Sequence, residues 1–304
     1  TKESLIMKSL LKAAESGKQV TILFELRARF DEENNLFWGN QLERAGAHVI
    51  YGVPSLKTHS KLLLVVRRTE NAVERFVHFG TGNYNENNAK IYTDISYFTS
   101  KKMIATDATK FFNYISSFSK KPSYQKFIAS PYGIRNQLLG LIDKEISYHK
   151  KEKNGHIIMK MNAITDIPIM EKMYEASNAG VRIDLIVRGI CCINPGVPNQ
   201  SENIHVRSIV GRYLEHMRMY YFHHNGKEEL LISSADTMTR NMEKRIELAL
   251  PIKDATSKRR CIKLLQLQLQ DTVKARVNNK GHYDYIKDAN EEINSQIMLY
   301  DMIR

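Results

Sequence analysis

A histidine can take up a phosphoryl group only if it attacks as the neutral imidazole, with a cation beside it to hold the phosphate. Small residues nearby let backbone N–H groups approach the developing oxyanion. Four His-x-Lys/Arg tripeptides occur: His59-Ser60-Lys61, His149-Lys150-Lys151, His205-Val206-Arg207 and His216-Met217-Arg218. Only the first and last run into an apolar stretch followed by a small-residue turn. These turns are Gly80-Thr81-Gly82-Asn83 and Ser233-Ser234-Ala235-Asp236. The tripeptide alone is weak evidence, since half its occurrences lack the turn. The compound pattern makes His59 a candidate nucleophile. It makes His216 a candidate acid/base or phosphate contact, the former role being worth about 10² to 10⁴ in rate for a well-placed group. In-line transfer leaves charge on the equatorial oxygens. Lys61, Arg218 and Arg245 are the cations expected to bind phosphate there. Asn83 and Asp236 are expected to form the turn or orient a histidine.

The elements that must hold these residues form a repeat. Leu5, Ile6, Leu10 and Ala13 fall at helical spacing before Gly17, and residues 20–26 read as a buried strand. A helix is expected over 30–45, with acids at 31–33 suiting its first turn. Strands are expected over 48–51, 62–66, 75–79 and 91–98. A helix over 106–118 would have Thr106 as its N-cap. The same grammar returns downstream. Ile169, Met170, Met173 and Ala176 mark a helix ending at Gly180, and residues 183–187 form a strand. Met7 falls on Met170, Ala13 on Ala176 and Gly17 on Gly180 at one constant offset, too long for a solenoid. The fold class expected is α/β, as two tandem domains related by duplication, 1–127 and 128–304. The second opens with a helix over 136–151. Alternation would put His59 and Lys61 on one strand face, and His216 and Arg218 on another.

The 304 residues carry 45 Lys and Arg against 33 Asp and Glu, a net charge of +12. Such a surplus favours a polyanionic partner. The aromatics do not cluster with Lys and Arg as a single-strand stacking platform requires, so nucleic acid is not expected. Cys191, Cys192 and Cys261 form neither a disulfide framework nor a metal spacing, which fits a reducing, cytoplasmic setting. No apolar run approaches the roughly 20 residues of a membrane span. The chain opens at Thr1 and goes almost directly into a helical pattern, so a fragment of a longer protein is expected.

The duplicated His-x-Lys/Arg with its small turn resembles the phospholipase D superfamily, in which two histidines meet across a pseudo-twofold. The acid that follows the lysine in the lipases is absent from both copies, which weakens a phosphodiesterase reading. A narrower resemblance is carried by residues 25–34 (ELRARFDEEN), 56–61 (LKTHSK), 80–85 (GTGNYN), Tyr92-Thr93-Asp94, 185–189 (LIVRG), 212–216 (RYLEH), Ser233 to Asn241 and 271–276 (DTVKAR). These runs resemble the polyphosphate kinases that work through a phosphohistidine. The resemblance implies that His59 is phosphorylated, that Tyr92, Arg188 and His216 contact the nucleotide, and that Arg29 holds the Mg²⁺-bearing phosphates without being a metal ligand. It implies ATP, ADP and polyphosphate as partners, Mg²⁺ as cofactor, and a homo-oligomer of the full-length protein with peripheral membrane association open to it. It also implies domains N-terminal to these residues, so the 304 residues alone are expected to lack part of the site. A phosphodiesterase and a non-catalytic polyanion-binding module are the alternatives.

Overall fold

The computed structural model describes residues 3–25, 32–117, 122–286 and 291–303. The first half runs α1 (Leu5–Glu15), β1 (Thr21–Phe24), α2 (Glu32–Arg44), β2 (His48–Tyr51), β3 (Lys57–Thr58), β4 (Lys61–Arg68), β5 (Val73–Gly80), α3 (Glu86–Ala89), β6 (Tyr92–Thr93), β7 (Ser96–Thr99) and α4 (Lys102–Ser117). The second opens with β8 (Ile128–Ala129), α5 (Gly133–Glu152) and β9 (His156–Met161). It continues with α6 (Ile167–Asn178), β10 (Arg182–Val187), β11 (Ile204–Ile209), β12 (Leu214–Glu215), β13 (Arg218–Phe222), β14 (Glu229–Ser233), α7 (Thr239–Glu243), β15 (Arg245–Ile246), β16 (Leu248–Pro251) and α8 (Ala255–Leu269). β17 (Ala275–Asn279), β18 (His282–Tyr285) and α9 (Ser295–Ile303) close the chain.

The α/β class and the internal duplication are both present. Apart from α2, which lies between β1 and β2 and has no counterpart between β10 and β11, the series α1-β1-β2-β3-β4-β5-α3-β6-β7-α4 is matched by α6-β10-β11-β12-β13-β14-α7-β15-β16-α8. Local chemistry starts the helices. The Ser4 hydroxyl accepts from the Met7 N–H at α1, and the Asp254 carboxylate from the Ser257 N–H at α8. Gly17 and Gly180 take positive φ values of 76° and 95° just after α1 and α6, where the chain must turn into a strand. Along α4, Ile104, Ala105, Ala108, Phe111 and Ile115 recur on one buried face.

The second half is built on a nine-stranded sheet in the order β18-β17-β11-β10-β9-β13-β14-β16-β8. β9, β10 and β11 are parallel, and β13 runs antiparallel to β9. Among the described residues of the first half, β1 pairs only with β2, and β4-β5-β7 form a separate sheet. The halves share a core in which Val77, Phe79 and Phe111 of the first pack with Ile158, Met219 and Ile232 of the second. Such a common core fixes one half against the other.

Three expectations are corrected. Thr106 does not cap α4 but lies inside it, since the helix begins at Lys102. The run 91–98 is two short strands, β6 and β7, which belong to different sheets. His59 and His216 are not within continuous strands. Each occupies a joint, between β3 and β4 or between β12 and β13, because the chain there changes partner from the other half to its own sheet.

Candidate active site

Two short parallel pairings cross between the halves. β3 pairs with β15, setting Lys57 beside Arg245, and β6 pairs with β12, setting Tyr92 beside Leu214. The residue after each strand is therefore delivered next to its counterpart. His59 arrives beside Glu247, and His216 beside Asp94. The backbone fixes the joints in the same way twice. The N–H groups of His59 and Ser60 donate to the Ile246 carbonyl at 2.9 and 3.1 Å. Those of His216 and Met217 donate to the Thr93 carbonyl at 3.2 and 2.9 Å.

The side chains follow. His59 Nδ1 lies 2.9 Å from Glu247 Oε2, and His216 Nδ1 lies 2.8 Å from Asp94 Oδ1. A carboxylate only accepts, so each Nδ1 carries the hydrogen and each Nε2 keeps its lone pair; that of His216 accepts from Arg218 Nη1 at 3.2 Å, whereas that of His59 meets no donor among the described residues. Glu247 is wholly buried, and it also accepts from the Ser234 hydroxyl at 2.5 Å and from Asn241 Nδ2 at 2.5 Å. Asp94 accepts from the Thr81 hydroxyl at 2.6 Å. A Cβ on Gly82 would lie 2.2 Å from Asp94 Oδ2, a distance no side chain tolerates. The glycine of the first small turn thus makes room for the carboxylate that holds His216.

Burial sets the charge states. It pushes the His59 pKa down to about 4; Lys61 and Arg218 act the same way and Glu247 opposes them. The imidazole is neutral at pH 7, yet 20% of its side chain remains accessible. Burial, reinforced by Arg218 and Arg245 against Glu247 and Asp94, lowers Lys61 to about 7. Its ammonium donates to the His59 carbonyl. His216 is lowered by burial, Arg218 and Lys61, with Asp94 opposing. Burial raises the Glu247 carboxyl, but His59, Lys61 and the Ser234 hydroxyl outweigh it and the net shift is downward.

Arg218 is buried and forks onto Asp236, Nε to Oδ1 and Nη2 to Oδ2, each at 3.2 Å. Its Nη1 donates to the His216 carbonyl at 2.7 Å. Asp236, which also accepts the Asn162 N–H at 2.7 Å, therefore anchors Arg218 and does not orient a histidine. Asn162 ties in Arg188, whose Nε donates to its Oδ1 at 3.1 Å. A cleft of about 2300 Å³ is lined by His59, Lys61, Asn83, Tyr92 and Arg245. The Tyr92 ring stands 5.0 Å from the His216 ring, tilted by 53°. Arg29 lies outside the described residues. His149 is away from this cluster, its Nδ1 accepting the Gly155 N–H; His205 is exposed on β11.

Sequence reasoning passed over Glu247 and did not give Asp94 a role. A signal was available. Each acid follows a short β-type pair (Tyr92-Thr93, Arg245-Ile246) at the same place after its small turn. The arrangement provides a neutral imidazole at His59 with a free Nε2, and a second at His216 whose Nε2 accepts from the fixed Arg218 guanidinium, beside a titratable lysine. It suits attack on a phosphoryl centre and stabilisation of its oxygens.

The family model described as polyphosphate kinase C-terminal domain 1 matches residues 1–121, and that of C-terminal domain 2 matches residues 127–296. A polyphosphate kinase of Bacillus cereus is 58% identical over 302 residues, covering 99% of this chain and 43% of its own length. One of Halalkalibacterium halodurans is 54% identical over 303 residues, again covering 99% of this chain and 43% of its own. The chain thus spans less than half the length of these relatives. The crystal structure of polyphosphate kinase from Porphyromonas gingivalis superposes with a TM-score of 0.90 at 37% identity, covering 98% of this chain and 46% of that one. A phosphatidylserine synthase of Haemophilus influenzae, 12% identical with a TM-score of 0.52 over 99% of this chain and 91% of its own, shares the fold alone. The chain belongs to the polyphosphate kinase family, whose two C-terminal domains it matches in order.

Proposed function

We propose that these residues are the catalytic region of a polyphosphate kinase, which moves the γ-phosphate of ATP reversibly to polyphosphate through a phosphohistidine on His59. The observation that carries this reading is the neutral, partly accessible His59, its Nδ1–H held by Glu247 from the other half and its Nε2 left free. In the first step Nε2 forms the bond to the γ-phosphorus, and the bond to the bridging oxygen breaks, its electron pair leaving with ADP. In the second, a terminal oxygen of polyphosphate attacks the phosphorus and Nε2 departs with its lone pair restored. Lys61, Arg218 and Arg245 offset charge on the equatorial oxygens, and His216, once its Nε2 has taken a proton, donates a hydrogen bond or that proton to the leaving oxygen. Tyr92 and Arg188 contact the nucleotide.

Among the described residues no group of His, Cys, Asp or Glu is arranged to hold a metal ion. Glu247, Asp94 and Asp236 are each engaged by a histidine or arginine. Mg²⁺ would accordingly be carried on phosphate oxygens and water, as is usual for this ion, and would supply charge neutralisation there. We further take 1–127 and 128–304 as the two catalytic domains, and the full-length protein as a cytoplasmic homo-oligomer with peripheral membrane association open to it. No helix among the described residues is long and apolar enough to cross a membrane.

The test uses full-length protein, γ-labelled ATP and Mg²⁺. Acid-labile, base-stable label on the protein that is lost in His59→Ala and kept in His149→Ala is the expected result. Label persisting in His59→Ala would refute the assignment, and release of inorganic phosphate without polymer would favour hydrolysis.

A further inference from the structure

His216 and Tyr92 reach the site on β12 and β6, which pair through two residues each. A ladder that short is not stable alone. What holds it lies behind the joint. Glu215, the residue before His216, is buried, and its carboxylate gathers four elements. Oε2 accepts from the Thr93 hydroxyl of β6 at 3.0 Å, from the Lys160 ammonium of β9 at 2.6 Å and from Gln268 Nε2 of α8 at 2.8 Å. Oε1 accepts from Gln296 Nε2 of α9 at 2.7 Å. Thr93 carries the link forward, since its carbonyl receives the N–H groups of His216 and Met217.

Gln296 also grips the backbone. Its Nε2 donates to the Tyr213 carbonyl at 2.8 Å, and its Oε1 accepts the Tyr213 N–H at 3.0 Å. One side-chain amide thus meets both main-chain groups of residue 213, as a neighbouring strand would, and gives its other N–H to Glu215. Gly211 makes room for it: a Cβ there would lie 2.4 Å from Gln296 Oε1. The helix is docked by these polar contacts. Ser295 and Gln296 are buried, whereas Ile297, Met298, Tyr300 and Met302 are exposed. A helix held by the hydrophobic effect turns its apolar stripe inward. Asp271 fixes the start of α9, its Oδ2 accepting the Ser295 N–H at 2.8 Å and the Ser295 hydroxyl at 2.6 Å.

The device belongs to one histidine. β17, β18 and α9 follow the matched series and are not repeated among the described residues of the first half. At His59 the place of Glu215 is taken by Thr58, whose N–H donates to Glu25 at 2.8 Å. We propose that Gln296 is a positioning residue, through which α9 fixes the 211–215 joint and with it the His216 ring and the Tyr92 face, leaving His59 unaffected. Its bearing on catalysis rests on the roles proposed above for His216 and Tyr92; its bearing on geometry does not. The helix acts through main chain and carboxylate: Gln296 to Tyr213 and Glu215, Glu215 to Thr93, Thr93 to the N–H of His216. A ring set by such a chain keeps its Nδ1–H on Asp94 only while the joint stays in register.

Two substitutions in the full-length protein test this by different routes. Gln296→Ala leaves Glu215 its three donors on Oε2, Lys160 included, so the carboxylate stays compensated. Gly211→Ala displaces the same amide, and the clash falls on the end of a flexible side chain. Exchange of the ring Cε1 hydrogen is followed at His59 and His216 by mass spectrometry, a readout that needs no phosphoryl transfer. Each variant speeds exchange at His216 by on the order of tenfold and changes His59 by less than about twofold. The rate of labelling by ATP falls by on the order of 10- to 10²-fold, as for a reacting group displaced by about 1 Å. Added to Gln296→Ala, Gly211→Ala has no further effect, because both act through one amide. Equal changes at the two histidines, no change at His216, an unchanged labelling rate or additive effects would each overturn the proposal. Absence of label from the wild-type protein would instead overturn the phosphohistidine reading, and the exchange rates would still decide this one.

Discussion

Glu247→Gln tests the orientation of His59 most directly. The carboxylate receives donors on both oxygens: His59 Nδ1 and the Ser234 hydroxyl on Oε2, Asn241 Nδ2 on Oε1. A glutamine has one oxygen, so its NH₂ must meet one of these groups. If the NH₂ faces His59, Nδ1 must accept, and the hydrogen moves to Nε2, which can no longer attack. The corresponding amide replacement at a triad aspartate costs roughly 10⁴ in kcat. If it faces Asn241, relief is at hand, because Asn241 Oδ1 is a buried oxygen with no hydrogen-bond partner and an amide flip presents it. The tautomer then survives, and a neutral hydrogen bond replaces a charge-assisted one, a loss of about 1 to 2 kcal/mol or roughly 5- to 30-fold. The second route is the expected one. Glu247→Gln/Asn241→Leu, which removes it, drives the loss toward about 10⁴. Protonation does not account for either loss, since Glu247 raises the His59 pKa and its removal leaves the ring neutral. The assay is the rate of acid-labile labelling of the full-length protein, with a thermal melt to confirm folding. A Glu247→Gln rate within threefold of wild type would refute the reasoning. So would an equal loss in Asp94→Asn, whose carboxylate serves His216.

Other outcomes follow from the same geometry. Lys61 titrates near 7, so polyphosphate binding weakens as pH rises from about 6 to 8 at constant ionic strength, and Lys61→Arg removes that dependence. Both depressed pKa values make the unfolded chain bind the extra proton. Stability therefore rises with pH between about 4 and 6.5 through His59 and between about 7 and 10.5 through Lys61, and urea midpoints of Lys61→Met lose the upper slope. Arg218→Met leaves Asp236 buried without its guanidinium and costs about 3 to 5 kcal/mol by denaturant titration; Arg218→Met/Asp236→Leu recovers much of it. Lys160→Met takes from Glu215 the buried ammonium 2.6 Å away but leaves Thr93, Gln268 and Gln296 donating to the carboxylate, and costs about 3 kcal/mol, the low end of that range.

Much of the fold was legible because it rests on local rules. The helix-Gly-strand grammar located α1 with β1 and α6 with β10, and positive φ at Gly17 and Gly180 explains why glycine recurs there. Element boundaries were less legible. α4 begins at Lys102, ahead of the Thr106 that the pattern suggested as its cap, and Tyr92 and Thr93 look like their neighbours although they pair with another part of the chain. Periodicity reports which face of a segment is buried and says nothing of which partner buries it.

The sequence by itself determined the residue types at the site: two histidines in equivalent places, each two residues before a cation and each followed by a small turn. It also determined the α/β class, through hydrophobic period and glycine placement. Tertiary structure alone decided which acid faces which histidine. His59 meets Glu247 and His216 meets Asp94 because β3 pairs with β15 and β6 with β12, contacts between residues more than a hundred positions apart. It also decided the charge states. A histidine pKa of about 4 and a lysine pKa of about 7 come from burial among neighbouring cations, a property of the folded site that no tripeptide contains.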